Sequence, residues 1–347
     1  MQLGRVFQGQ ARTLMAVTLH DVAVAAGVST ATVSNVLNKT GKVGRRTQNL
    51  VLSTVRRLGY LPNIHARRLA SRDTRTFGII VSDIENPFFP EVIKGFLDRA
   101  RQLDYDAILN DTNYDPRRTQ EAASRMITHN VSGVAIMTSE ISPHLIADFA
   151  RRKIAVTFLD TGPARDYVST LRIDYASGIA QLVQHLHEKG HRRIAFVAGR
   201  PKLKSNVARL EAYEKSMLTL GLKPGPVLPG DLRFEGGLSA GQTIAKLSPL
   251  PSAVMAVNDL TAVGVIKGLT TAGFSIPRDI SITGFDKTRL AEYNIPSITT
   301  VDIHRNLLGQ MAADALHALC TSSAPQGREY EISAELIVGQ SSGKANS

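Results

Sequence analysis

At 347 residues with 43% hydrophobic content, the chain is long enough for two or three domains with buried cores. No apolar run reaches the roughly 18 residues of a membrane-spanning helix, and the single cysteine, Cys320, excludes an internal disulfide or a Cys/His zinc cluster. The net charge of +11 is lopsided: residues 1–75 carry 12 Lys+Arg against 2 Asp+Glu and the other 272 carry 29 against 28, so a basic module joined to a neutral body points to a polyanionic partner.

The first 16 residues show neither helical nor strand period and lack the continuous apolar stretch of a secretory signal. They are read as a disordered extension, with Met15 a second candidate start, and the compartment as the cytoplasm. The segment TLHDVAVAAGVSTATVSNVLN (18–38) then reads as two short helices around a tight turn. Thr18 with Asp21 forms a capping box, and Leu19, Val22, Ala23 and Ala26 recur at helical spacing. Gly27 ends that helix and Ser29 caps the next, whose buried side is Val33, Val36 and Leu37. Thr30, Ala31, Ser34 and Asn35 are left facing outward. With Thr18, Ser29 and Thr32 they make a candidate DNA face: short side chains let the backbone approach a major groove, and an asparagine can pair with adenine N6 and N7.

A third helix over about 47–59 closes a three-helix core through Leu50, Val51, Val55 and Leu58, and Arg45, Arg46, Arg56 and Arg57 flank it as candidate phosphate contacts. In YLPNIHARRLASRDTRT (60–76), Pro62 breaks the chain, Asn63 can cap, and IHARRLA allows only two helical turns. Such a helix is marginal alone. Arg67, Arg68, Arg72 and Arg75 supply phosphate charge, and Leu69 reads either as a wedge for a base step or as part of a plain linker.

From residue 76, short apolar strands alternate with amphipathic helices: 77–82, 106–111, 133–138 and 155–160, then 193–198, 253–258 and 280–285. Near-continuous Val/Ile/Ala/Phe strands separated by helices argue for parallel sheets covered on both faces. The pattern occurs twice, before and after about residue 161. Two doubly wound lobes sharing a cleft follow, and ligands bind outside the carboxyl ends of such strands. IENPFF (84–89) brings Phe88 and Phe89 to the cleft mouth, where an aromatic face can stack on a ring. Asp160, Asn258 and Asp286 each close a strand with a polar side chain, and Arg209 offers a planar, multi-donor contact. Arg200, Lys202 and Lys204 crowd the adjacent loop and point to a phosphorylated or acidic ligand, or to a merely solvated loop. Glycine-rich nucleotide loops are missing, and no nucleophile–base pair can be assigned, so no enzyme activity and no cofactor is expected.

The runs TLHDVAVAAGVSTATVSNVLN, RRLGYLPNIHARRLA, GIIVSDIENPFFPEVIKG, GHRRIAFVAG, AVNDLTAVGVIKGLTTAGFSIPRDISITGFD and PSITTVDIHRNLLGQMAADAL resemble the lactose/galactose repressor (LacI/GalR) family in order over about 17–340. The resemblance implies a helix-turn-helix domain (17–61), a hinge helix or linker (62–75) and a bilobal body similar to type I periplasmic binding proteins (76–340), followed by a tail (341–347). Lobe 1 would hold about 76–160 and 304–322, and lobe 2 about 161–303 and 323–340. It further implies a cytoplasmic, nucleoid-associated homodimeric repressor of carbohydrate or carbon-metabolism genes. Such a protein binds a palindromic operator and is controlled by a sugar, sugar acid or sugar phosphate.

Carried over by position, Thr30, Ala31 and Asn35 read bases, and Leu69 wedges into the operator centre with Ala66 beside it. Ser205, Arg209, Asn258 and Asp286 take effector-contact positions, with Asp160 and Leu232 lining the other sides. Leu232 replaces the family's frequent aromatic platform, and Leu203 stands where the purine-responding member has arginine. Asn35 and the basic GRRTQ (44–48) also depart from the family's usual pattern. A solute-binding protein with the same body, a dual activator and repressor, and a cleft enzyme are the alternatives.

Overall fold

The computed structural model describes residues 17–38, 40–60, 74–138 and 141–346, and the chain divides into one unit up to Thr74 and another from Arg75. The expectations for residues 1–16, and those for Asn63, Ala66, Arg67 and Leu69 in the hinge, fall outside the described residues.

In the first unit α1 (Leu19–Ala26), α2 (Thr30–Asn38) and α3 (Arg45–Leu58) surround a core of Val22, Ala23, Ala26, Val33, Val36, Val51 and Tyr60. The Thr18 hydroxyl accepts from the Asp21 amide at 3.2 Å while Asp21 accepts from the Thr18 amide at 2.8 Å, a reciprocal cap that fixes where α1 begins. Gly27 stops it at φ 62°, a left-handed conformation that glycine adopts freely. Ser29 caps α2 by accepting from the Thr32 amide at 3.1 Å. One core expectation fails: Leu50 is 48% exposed. Val51, Val55 and Leu58 follow one helical stripe with Thr54, which takes the buried place, and Leu50 lies one residue off it.

The second unit carries two parallel sheets. The larger runs β11-β5-β4-β3-β1-β2, with β1 Thr76–Val81, β2 Asp106–Asp111, β3 Gly133–Met137, β4 Ala155–Leu159, β5 Val168–Ile173 and β11 Glu329–Ile332. Both faces are covered. Phe77, Ile79 and Val81 point to the side of α4 (Phe88–Gln102) and α12 (Arg305–Thr321). Ile80 points to that of α5 (Pro116–Thr128) and α6 (Pro143–Arg151). The helices α4 and α12 cross at Gly95 and Gly309, where any β-carbon would strike the carbonyls of Asn306 and Val92.

The smaller sheet runs β7-β6-β8-β9, with β6 Ile194–Val197, β7 Val227–Leu228, β8 Ala253–Ala256 and β9 Ser281–Thr283. It lies between α7 (Tyr175–Glu188) and α8 (Lys204–Thr219) on one face and α9 (Phe234–Ile244) and α10 (Asp259–Thr271) on the other. A two-stranded ladder of β10 (Thr300–Asp302) and β12 (Glu335–Ile337) and the short α11 (Arg289–Tyr293) complete this lobe. Half-buried Cys320, near the end of α12, packs against the core and donates to the Ser132 carbonyl at 3.3 Å.

Three expectations about lobe boundaries need correction. Residues 168–173 form β5 in the larger sheet, so the first crossing falls between Ile173 and Tyr175 rather than near 161. The stretch 323–340, expected wholly in lobe 2, is divided: β11 pairs with β5 in lobe 1, and β12 pairs with β10 in lobe 2. The expected tail is packed, since Ser341 and Ser342 are buried and bond to Ile282 and Thr299.

Candidate functional site

On the first unit, Thr30, Ala31 and Asn35 lie exposed on α2 while Val33 and Val36 of the same helix are buried. Ser34 and Thr32 are half-buried, and Ser34 accepts from Asn38 Nδ2 at 3.1 Å. Thr18 and Ser29 are exposed but engaged in capping. Asn35 Oδ1 accepts from the Thr40 hydroxyl at 3.3 Å, which orients the side-chain amide. Arg45 and Arg46, both exposed, open α3 with no acidic residue in its first turn and no side-chain cap. Cations at a helix N-terminus oppose the macrodipole. Their placement costs the helix stability and suits an anion placed there.

In the second unit a cleft between the lobes, about 600 Å³ with its open mouth, is lined by all eight expected residues: Phe88, Phe89, Asp160, Ser205, Arg209, Leu232, Asn258 and Asp286. Asp160, Leu232 and Asp286 have φ of 54°, 73° and 105°. Side chains other than glycine rarely hold such angles, and strained backbone of this kind collects at functional sites.

Arg209 is the hub. It is 5% exposed, donates through Nη1 to the Val257 carbonyl at 2.8 Å and through Nη2 to Asp286 at 3.1 Å. Its guanidinium lies between the rings of Tyr175 and Phe285, at 4.7 and 4.4 Å from their centroids. Its Nε is buried without a hydrogen-bond partner. Burial pushes Asp286 up to about 6 although Arg209 and Arg305 pull it down. Asp160 accepts from the Tyr175 hydroxyl at 2.7 Å and the Ile173 amide at 3.1 Å, and burial raises its pKa too. Asn258 is mostly committed: its oxygen caps α10 by accepting from Thr261 N at 2.9 Å, and its amide donates to the Leu232 carbonyl at 3.2 Å. Phe88 and Phe89 meet edge to face at 4.9 Å, both buried.

The cleft also holds side chains that the sequence reading did not single out. Tyr114 closes the wall after β2, with its hydroxyl pushed up to about 12 by burial. Ser82 and Thr138 follow β1 and β3. These three obey the rule of strand carboxyl ends and were findable by it. Asn206 and Tyr175 belong to helix starts and carried no such signal. The basic loop follows the solvated alternative for its lysines: Lys202 and Lys204 are exposed and off the lining, and Arg200 stacks on Tyr114 at 4.6 Å.

At the rim Arg233 of lobe 2 donates to Asp83 and Asn113 of lobe 1 at 2.8 and 2.6 Å. Each of the three is adjacent in the chain to a cleft-lining residue: Leu232, Ser82 and Tyr114. Asp83 is buried, so Arg233→Ala is expected to destabilise the body by about 1–3 kcal/mol, the cost of a buried acceptor losing its donor. An unchanged urea midpoint would show that the rim bond holds nothing.

Residues 18–63 match the family described as bacterial regulatory proteins, lacI family, and residues 183–342 match a periplasmic binding protein-like domain. The catabolite control protein A of Priestia megaterium is 32% identical over 290 residues, 83% of this chain and 87% of that protein. An HTH-type transcriptional repressor PurR of Photobacterium profundum is 30% identical over 327 residues, 93% of this chain and 98% of that one. Among solved structures, the lac repressor dimer bound to operator and the anti-inducer ONPF superposes with a TM-score of 0.84 at 26% identity, covering 94% of this chain and 99% of that one.

Proposed function

We propose that this chain, which belongs to the lacI family of bacterial regulatory proteins and is a DNA-binding transcriptional repressor, works as a homodimer on a palindromic operator under the control of a small molecule in the inter-lobe cleft. The observation that carries the reading is the exposed set Thr30, Ala31 and Asn35 on a helix whose opposite side is core. Arg45 and Arg46 stand ready as phosphate contacts. Two such helices in a dimer would enter adjacent major grooves. The segment 63–70, with Leu69 as wedge, would pair at the operator centre and kink it.

The cleft supplies the control. A ligand that prefers one arrangement of the lobes shifts operator affinity by a coupling free energy, ordinarily about 1–3 kcal/mol. The effector class considered is a sugar or sugar derivative, and the regulated genes those of carbohydrate or carbon metabolism. The strained Asp160, Leu232 and Asp286 around Arg209 support a ligand role for the cleft. Among the described residues no helix is long and apolar enough to cross a membrane.

Duplex binding against salt tests the DNA reading. A regulator should give a steep negative log–log slope on random duplex, set by its phosphate contacts. A solute-binding protein or a cleft enzyme gives none. Asn35→Ala is expected to weaken operator binding by about 1–3 kcal/mol, the worth of a bidentate base contact, and to leave the salt slope on random DNA intact. A variant with wild-type operator affinity would remove Asn35 from the base-reading set.

A further inference from the structure

We propose that the cleft selects an uncharged, polyhydroxylated ligand and rejects the phosphate or carboxylate derivative of the same compound; this rests on the effector reading above. The charges around the cleft carry the argument. Its ionisable lining is two carboxyl groups, Asp160 and Asp286, and one guanidinium, Arg209, with the phenols Tyr114 and Tyr175. Arg209 is already paired with Asp286 at 3.1 Å and bonded to the Val257 carbonyl. Among the described residues no other cation lines the cleft: Lys202 and Lys204 are exposed off the lining, and Arg200, also off it, is stacked on Tyr114. The rim arginine, Arg233, is committed to Asp83 and Asn113. An entering phosphate would give up its hydration to meet two carboxyl groups and a neutralised arginine, an unfavourable exchange for a buried charge.

The unsatisfied groups point to hydroxyls instead. Asn206 Oδ1 is a buried acceptor and Arg209 Nε a buried donor, both without hydrogen-bond partners, and both side chains are nine-tenths buried or more. A hydroxyl both donates and accepts, so a polyhydroxylated ligand can serve either kind of group. Between these polar points the walls are apolar, with Phe88, Phe89, Leu203 and Leu232 fitted to the C–H faces of a ring.

The test uses matched sets of common pentoses and hexoses with their phosphates and their sugar acids. Each is titrated calorimetrically into the full chain at near-neutral pH, and duplex binding is read on the same samples. At least one neutral sugar is expected to bind, with its phosphate and acid forms about tenfold weaker or more. A charged form binding as tightly as its neutral parent overturns the proposal and leaves the effector reading standing. A wholly silent panel also overturns it. In that case, retained salt-dependent DNA binding confines the failure to the ligand class, and its loss takes the repressor reading as well.

Discussion

Arg209→Met is expected to abolish ligand binding in the cleft and to destabilise the body by about 3–5 kcal/mol, the usual cost of removing one partner from a buried ion pair. The side chain ties α8 to the Val257 carbonyl and to Asp286, and it fills the space between Tyr175 and Phe285. Methionine replaces most of the volume and none of the charge. Asp286 is then left beside a second buried carboxyl, Asp259, with only Arg305 among the basic groups that lower its pKa, so it takes up a proton at neutral pH. That uptake limits the loss. The double variant Arg209→Met/Asp286→Leu separates the two effects. It should recover part of the urea midpoint, because well-packed apolar replacements of buried pairs are often neutral, and recover no ligand-induced thermal shift. A double variant that responds to ligand like wild type would move the site away from this pair.

Much of this arrangement was legible in the sequence, and the gaps have physical causes. Strands β1, β3, β4, β6 and β8 announce themselves as continuous apolar runs because both faces of their sheets are covered. β5 does not. Ser169, Thr170 and Arg172 interrupt its apolar residues, yet Ser169 accepts from the Arg328 amide and Thr170 donates to the Gly162 carbonyl, so buried hydroxyls fit the sheet once their partners arrive. Arg328 is distant in sequence and invisible to a local pattern. Missing β5 also hid Tyr175, which follows it directly and holds both Asp160 and Arg209.

The same limit explains 329–339: Ile332 pairs in one lobe and Glu335 in the other, and only tertiary pairing reveals the break. The cleft residues were easier because strand order predicts where polar ends converge. Their commitments were not readable. Asn258 looked like a ligand contact and spends its oxygen on a helix cap, and the lysines of the basic loop turn to solvent.

The second large effect is a pH dependence centred behind the cleft. Asp259 is fully buried, accepts from the Thr288 amide at 2.6 Å, the Thr288 hydroxyl at 3.0 Å and the Thr300 hydroxyl at 2.6 Å, and has no cation bonded to it among the described residues. Burial and then the Asp286 charge push it up to about 7. Burial pushes Asp286 to about 6. Both carboxyls titrate near 4 in an unfolded chain. Between about pH 4 and 7 the native state therefore holds protons that the unfolded chain has released. The stability these groups contribute is complete below about pH 4 and is lost as pH rises through 6 and then 7.

Half-buried His185 and buried His191 shift the opposite way, burial lowering both, and so mask part of the trend in the wild type alone. The comparison that isolates the carboxyl is Asp259→Asn, which keeps an acceptor for the threonines and cannot ionise. Relative to wild type, the variant's melting temperature should rise from pH 5 to about 7 and level off above it, by several degrees in all if the proton is shared as described. A difference constant over that range would mean that Asp259 is held as an anion by its three donors, and that burial beside Asp286 does not govern its charge.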